Sequence, residues 1–559
     1  MGNRTKLVIM IVMSVGGSLP AEGVLGLQTS EHVAGFHPRS GVGSDTISLA
    51  EAQAKRVLAF RYIRPVHDEK VRYEAIGRAQ NLAAARRPEM IQELDALGEV
   101  DPTNDFIIGH RVKLRMTSGR REQALEVART CRGTDWWCAE LTGLVFHSLG
   151  DFVAADSAFQ VSYAAMPESE RCGERGVSDI GAMLQGRVLR EYRRLGCGER
   201  QVLESRFWWL ADPLHLMEAN DRLTEHRARL VGLRLLEQQQ ALRGRWGAYW
   251  CYDRCWEGVL RHGWPVEFWG PERDFASISH LPGVSLAPPQ EAVENPMGID
   301  PDDWELEPRA GRERYDLPYG PLYSLPQQVA FFRRGDSARV VAATDFRGHP
   351  LALSGAREVG MVLSRGPADV PVRVSTHELL DLHRFQVTVP DEHHLVSVEA
   401  VSDRRGVGRA RFATGLVESS SGGLGLSNLL LFDWSATQGE TLDRVFPHMM
   451  GTTEVTAESA VGVFWEVYGV EERETLSVTL QVTPEEDGGF FRRIGRVLRL
   501  VGATEGVRLG WEAPVGGEAI LGNSLQVDLG TLDPGRYRLE VTVELGDDSA
   551  TESRRFSVL

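Results

Sequence analysis

The spacing of apolar residues divides the chain into two halves. From Ile47 to about Arg261, apolar residues recur three or four apart in stretches rich in Ala, Leu, Glu, Arg and Gln, which predicts α-helices. After Gln327 the period falls to two. ARVVAATDF, ADVPVRVS, RFQVTVP and HLVSVEAVS alternate or run apolar between turn residues, and VGVFWEVYGV, TLSVTLQVT, GVRLGWEA, SLQVDLG and RYRLEVTVEL form a second set. Each set predicts an antiparallel β-sandwich. Between the halves, Pro271 to Pro326 holds ten of the 26 prolines, a density that excludes regular helix or central strand and predicts an extended connector.

The expected fold is therefore multidomain α + β, with an N-terminal helical region, a proline-rich connector and two C-terminal sandwich modules. The expected boundaries are a signal peptide at 1–23, a flexible segment at 24–46, helices at 47–200 and a tryptophan-rich helical region at 201–270. The connector occupies 271–326, the sandwiches 327–418 and 455–559, and a linker 419–454. The signal peptide rests on Arg4 and Lys6 before an apolar run from Leu7 to Val15, too short to span a bilayer, followed by small residues ending in Ala21-Glu22-Gly23. It implies a protein exported to the periplasm or cell envelope, with no transmembrane segment in the mature chain.

Composition narrows the partners. A net charge of −16 argues against nucleic acid, whose binding needs basic stripes. The six cysteines, Cys131, Cys138, Cys172, Cys197, Cys251 and Cys255, all fall in the first half and are disulfide candidates in an exported chain. Cys172 can pair with Cys197, whereas Cys251 and Cys255 would lie one helical turn apart, poor disulfide geometry. Their spacings do not make a zinc site, and the acidic run Asp300, Asp302, Asp303 and Glu305 lacks the glycine turn of a calcium loop. No metal or cofactor is expected.

Motifs that would announce a reaction are missing: there is no His-Glu-x-x-His, Gly-x-Ser-x-Gly or Walker loop. GVGRARFATG (406–415) reads as a connection between strands, not a phosphate loop, because no helix follows it. His394 aligns with Tyr537 when PDEHHLVSVEA is laid over DPGRYRLEVTVE, which places both on inward strand faces. The sharpest candidate for chemistry is FWWLADPLHLMEANDRLTEHRAR (207–229), where Trp208, Trp209, Asp212, Asn220, Glu225, His226 and Arg229 crowd together. Asp212-Pro213 predicts a helix break within it. Glu225 lies four residues after Asp221, with Arg222 and Arg229 at hand, a pattern expected of a solvated ion-pair face.

Three resemblances carry these patterns further. Residues 137–167 resemble a tetratricopeptide hairpin, with Gly143, Phe146, Gly150, Ala155, Phe159 and Pro167 at its characteristic positions. Gly119 and Ala124 mark a weaker copy whose turn lies 31 residues before Gly150. LDPGRYRLEV resembles the tyrosine corner of immunoglobulin-like and fibronectin-like sandwiches. FWWLADP, the following Ala219-Asn220-Asp221 and the later Gly263-Trp264 resemble the bacterial domain named for its Gly-Trp-x-Thr-Asp motif, although Pro265 and Val266 occupy the place of its variable residue and threonine. That family consists of exported, uncharacterised proteins joining helical repeats to β-modules.

Together these readings predict a non-catalytic scaffold that binds a protein or peptide partner through the helical region, with Trp208, Trp209, Asp212, Asn220, Glu225, His226, Arg229 and Trp264 as candidate contacts. The alternative is a carbohydrate-binding protein or hydrolase using the tryptophan-rich region, which would need Trp208, Asp212 and Glu225 to line an open cleft.

Overall fold

The computed structural model describes residues 48–58, 86–173, 179–184, 186–241, 253–262, 288, 290–298, 321–354, 356–378, 380–402, 406–415, 423–470, 475–485, 507–514, 520–530 and 532–559. The expected signal peptide, the flexible segment, Trp264, the acidic run at 300–305 and most of the connector lie outside these residues. The chain forms two compact units, one of Met1–Ala182 with Leu223–Ile278, the other of Met183–Arg222 with Ser279–Leu559.

The described helices are α1 (Leu49–Leu58), α2 (86–100), α3 (Asp105–Thr117), α4 (Arg121–Arg129), α5 (Asp135–Leu149), α6 (Phe152–Ala165) and the short α7 (Glu168–Arg171). They continue with α8 (Gly186–Tyr192), α9 (Cys197–Ala211), α10 (Asp221–Ala241), α11 (Asp253–His262), α12 (Gln290–Glu294) and α13 (Leu442–Val445).

In the first unit, α3–α4 and α5–α6 are two hairpins with the same turn. Gly119 and Gly150 take left-handed φ values of 72° and 82°. In each turn the next residue's N–H reaches back to a helical carbonyl, Arg120 to Arg115 at 2.9 Å and Asp151 to Phe146 at 3.1 Å. Both are glycine-capped helix ends, in which the left-handed residue lets the last carbonyls be satisfied. Asp151 then caps α6 by accepting from the Ala154 N–H.

Small residues set the packing of these hairpins. Ala124, Ala128 and Ala155 are buried with Trp137, Leu141, Val145 and Phe159, and α10 completes this core with Ala228, Val231 and Leu235. A methyl group on Gly143 would come within 2.7 Å of the Phe159 ring, so α5 and α6 approach as they do because that position has no side chain. The Trp137 indole donates to the Asp105 carbonyl at 3.0 Å, and a Cys131–Cys138 disulfide ties the end of α4 to the first turn of α5.

The second unit contains the described strands. These are β1 (Leu322–Ser324), β2 (Gln327–Arg334), β3 (Ser337–Asp345), β4 (Ala356–Ser364), β5 (Val372–Thr376), β6 (Leu382–Pro390), β7 (His394–Ser402) and β8 (Val407–Thr414). They continue with β9 (Gly425–Leu426), β10 (Leu430–Asp433), β11 (Glu454–Val455), β12 (Val461–Tyr468), β13 (Thr475–Pro484), β14 (Val507–Pro514), β15 (Ile520–Val527), β16 (Gly535–Leu545) and β17 (Asp548–Val558). They form four sheets. The first is ordered β1-β8-β7-β4-β5, the second β2-β3-β6, the third β10-β12-β15 with β9 beside β12, and the fourth β11-β17-β16-β13-β14.

Three apolar layers join these sheets. Phe331, Val340, Ala342, Phe385, Met361, Val396, Val398 and Ala400 fill the space between the first and second sheets. Trp465, Val463, Val478, Leu480, Leu539 and Val541 do so between the third and fourth. Ala330, Phe332, Val341 and Ala343, on the opposite faces of β2 and β3, pack against Leu430, Phe432, Phe464 and Met449. β2, β3, β10 and β12 therefore feed a core on each side, which is why QQVAFF and VGVFWEVY run apolar instead of alternating.

Two sequence-based expectations change. Residues 419–454, expected as a linker, supply β9, β10, α13 and β11, because Leu430, Phe432, Leu442 and Val445 are core residues of the middle layer. GVGRARFATG is strand β8, not a connection, and its pairing with β7 runs from Val407–Val401 to Thr414–His394. Tyr537 makes the expected corner, donating its hydroxyl to the Asp533 carbonyl at 2.8 Å.

The Gly143–Phe159 approach can be tested. Alanine is the better helix former by about 1 kcal/mol, yet Gly143→Ala should lower the stability of the helical unit, because overpacking costs about 1–3 kcal/mol. Thermal unfolding followed by helical circular dichroism will show a lower midpoint; an unchanged or raised one would mean the hairpin adjusts freely.

Candidate functional site

The candidates of 207–229 divide between the two units. Trp208, Trp209, Asp212 and Asn220 belong to the second, and Glu225, His226 and Arg229 to the first.

In the second unit, α9 ends at Ala211, where Asp212-Pro213 breaks the helix as predicted, and the chain crosses the outer face of the first sheet. On that face the side chains of β7 and β8 that point away from the core are Ser397, Glu399, Arg409 and Arg411, all buried. Their partners are backbone groups of the crossing segment. The Glu399 carboxylate accepts from the N–H groups of His215 at 3.0 Å and Leu216 at 2.7 Å. Arg411 donates to the carbonyls of Leu210 at 3.1 Å and Pro213 at 3.4 Å, and Arg409 to those of Asp212 at 2.7 Å and Pro213 at 3.1 Å. Arg411 also pairs with Glu399 at 3.2 Å, and Ser397 donates to the same carboxylate. Leu216 fills the space over Gly360 of β4, where a Cβ would meet its Cδ1 at 3.0 Å.

The named candidates frame this junction. Trp208 is buried, with the fully buried Arg222 guanidinium 5.5 Å from its ring centroid, and its carbonyl accepts from Asn220 Nδ2 at 2.7 Å. The half-buried Trp209 stacks on His215, centroids 5.9 Å apart and planes at 10°, while His215 Nε2 donates to the Trp209 carbonyl at 2.9 Å.

Burial sets the protonation states. It drives His215 down to about 3, helped by Arg411, so the imidazole is neutral at physiological pH. Burial also pushes Asp212 well above the carboxylate range; Arg411 opposes it, while Asp221 and Glu399 add to it. Glu399 moves the other way, because Arg411, Ser397 and the Leu216 N–H outweigh its burial. A buried carboxylate with these partners can fix a peptide segment.

Glu225, His226 and Arg229 lie on α10. The expected solvated face is instead largely buried: Arg222, His226 and Arg229 are all buried, because α10 serves as a core helix. Glu225 pairs with Arg229 Nε at 2.6 Å and His147 Nε2 at 2.7 Å, and Arg229 Nη1 also donates to the Leu260 carbonyl at 2.8 Å. Burial works against the Glu225 carboxylate, but Arg229 and then His147 outweigh it and hold it far below its usual range. A second buried set joins Glu140 of α5 to Arg234 of α10 at 3.4 Å.

Cys172 and Cys197 are each in a disulfide as well. Cys251 and the Cys255 side chain lie outside the described residues. Among the described residues, no group of three His, Cys, Asp or Glu side chains is arranged to hold a metal ion, and no helix is long and apolar enough to cross a membrane.

The anchor residues Glu399, Arg409 and Arg411 were missed by sequence reasoning. Their signal was present as polar residues at alternate positions, Ser397 and Glu399 in one strand and Arg409 and Arg411 in the next, with Val398, Ala400, Ala410 and Phe412 on the opposite face.

No family model matches this chain, and no curated protein matches it. Among solved structures, a transglutaminase from red sea bream is similar over 42% of this chain and 31% of that chain, at 11% identity and a TM-score of 0.13. The matched part thus spans about a third of that transglutaminase, and a likeness this slight carries no argument about the present chain.

Two expectations follow. Arg411→Met and Glu399→Leu should each cost the β unit about 3–5 kcal/mol, the scale of a buried pair that loses one member, and the double substitution should cost less than their sum. Denaturant unfolding followed by tryptophan fluorescence measures this, and strictly additive losses would show that the two groups act independently. Because the Glu225 pKa is depressed, its contribution is full above the unfolded value of about 4.3 and is lost as pH falls below it. Glu225→Gln should therefore destabilise the helical unit at pH 7 and cost less at pH 3, where part of the contribution is gone; equal costs at both would contradict the ion-pair account.

Proposed function

We propose that this protein is an exported, non-catalytic scaffold whose helical unit binds a partner protein, as the resemblance to the bacterial Gly-Trp-x-Thr-Asp proteins and to tetratricopeptide hairpins implies. The observation that carries the reading is the outer face of α6. α4 exposes Arg121, Glu122, Glu126 and Arg129, as a solvated helix does. α6 exposes Val153, Ser157, Gln160, Val161, Ala164 and Ala165, without a single charge, and Val153 and Val161 are 47% and 62% exposed.

The hairpin packing supports a helical occupant. α4 is partly covered by the next hairpin, through Ala124 and Ala128 in the shared core with α5 and α6. α6 presents small and branched apolar residues of the kind that accept a further helix. The partner is accordingly read as a protein that lays an apolar helix face along α6. The disulfides support passage through an oxidising compartment. The hydrolase or sugar-binding alternative draws no support from Trp208, whose indole is buried, while the half-buried Asp212 accepts the Leu214 N–H at 3.2 Å.

Affinity capture of the mature chain from cell-envelope extracts, beside a Val153→Glu/Val161→Lys variant, tests this. The wild-type chain should retain a stoichiometric protein and the variant should lose at least about tenfold of it, the equivalent of about 1.4 kcal/mol, with its unfolding midpoint unchanged. Absence of a stoichiometric partner, or equal capture by both chains, would overturn the reading.

A further inference from the structure

One end of the first sandwich is closed by a histidine whose two ring nitrogens do opposite work. His349 precedes the short 3-10 turn Pro350–Ser354. Its Nδ1 accepts the Leu351 N–H at 3.2 Å, and its Nε2 lies 3.0 Å from the Ser324 carbonyl of β1. A carbonyl oxygen can only accept, so Nε2 carries the proton and Nδ1 keeps its lone pair. Only the neutral imidazole satisfies both contacts.

What this imidazole holds is part of the core. Leu351 is buried, and its Cδ1 lies where a Cβ on Gly408 of β8 would come within 2.8 Å. Leu325, directly after β1, is buried beside it and bonds through its N–H to the Arg409 carbonyl at 3.1 Å. Tyr323 and Phe346 meet the His349 ring edge-on, with centroids at 5.8 and 5.9 Å. Phe346 also meets His383 at 5.5 Å, and His383 stacks on Phe385 at 6.2 Å.

The charged groups on the surrounding elements are the Asp345–Arg347 pair, Arg384, which donates to the Met449 carbonyl, Asp381 and Glu378. Glu378 favours the charged form of His383. The His349 ring is only half-buried, so protons in the medium reach it.

We propose that His349 is a proton-operated clip: in mildly acidic medium a proton on Nδ1 breaks the Leu351 hydrogen bond, and the Pro350–Ser354 turn loosens from the end of the first sandwich while the Nε2–H bond to the Ser324 carbonyl of β1 is kept. Burial already lowers the affinity of both His349 and His383 for a proton in the folded chain. Their folded values therefore lie below the ordinary value of about 6.5, so stability is full above that pH and declines as pH falls through it toward the folded values. The clip gives an exported chain a response to the acidity of its surroundings.

Amide hydrogen exchange of the full chain, at pH 7.5 and 5.0 and corrected for the intrinsic rate, tests the clip. Segment 350–354 should exchange about fivefold faster at pH 5.0, the scale of one hydrogen bond, while β1 and β7 stay protected. His349→Asn places an amide oxygen where it can accept the Leu351 N–H and cannot titrate; it should exchange alike at both pH values. No acceleration in the wild-type chain, or the same acceleration in His349→Asn, would overturn the proposal. If that variant does not fold, histidine C2-proton exchange in the unaltered chain gives the titration midpoint of His349. Coincidence with the opening midpoint of 350–354 supports the clip, and separate midpoints overturn it.

Discussion

The β unit depends on one buried arrangement: the Glu399 carboxylate and the Arg409 and Arg411 guanidiniums, which hold the backbone from Leu210 to Leu216 against the first sheet. Removing these charges from water is expensive, and the arrangement is tolerable only because backbone N–H and carbonyl groups complete their hydrogen bonds. The same contacts satisfy peptide groups that a helix break has left without helical partners. Asp212-Pro213 supplies the break and the two strands supply the partners.

The consequence reaches beyond the loop. The outer face of β7 and β8 would be an exposed surface bearing isolated charges; with the segment in place it is a second buried face, and Leu395, Val362 and Leu216 lie within it. The remaining sheets extend the same principle, since β2, β3, β10 and β12 each serve a core on both sides. In the proposed reading, the uncharged outer face of α6 is where the helical unit meets its partner.

Much of the fold is legible in the sequence, because periodicity reports burial. The helical half, the sheet-rich half, the turns at Gly119 and Gly150, and the Tyr537 corner all follow from local patterns. The linker reading of 419–454 went astray because Leu430, Phe432, Leu442 and Val445 sit in pieces too short to show a period, and only the neighbouring sheet makes them core. GVGRARFATG was misread because Gly406, Gly408 and Gly415 look like loop residues. Gly408 is small because Leu325 and Leu351 occupy the space its side chain would take. At the candidate site, Trp208, Asp212 and Asn220 do gather, but the residues that give them a role lie nearly two hundred positions later, a separation that no local pattern spans.

The central claim is that 210–216 is a structural part of the first sheet and not the rim of a reactive cleft. Amide exchange at His215 and Leu216 in the unaltered chain tests it most directly. If Glu399 holds both N–H groups in a buried junction, they should exchange as slowly as the central residues of β7 and β8, through the same global opening. Exchange at the rate of a solvent-exposed turn, such as the one at Gly366, would contradict the account and reopen this segment as a site accessible to ligands.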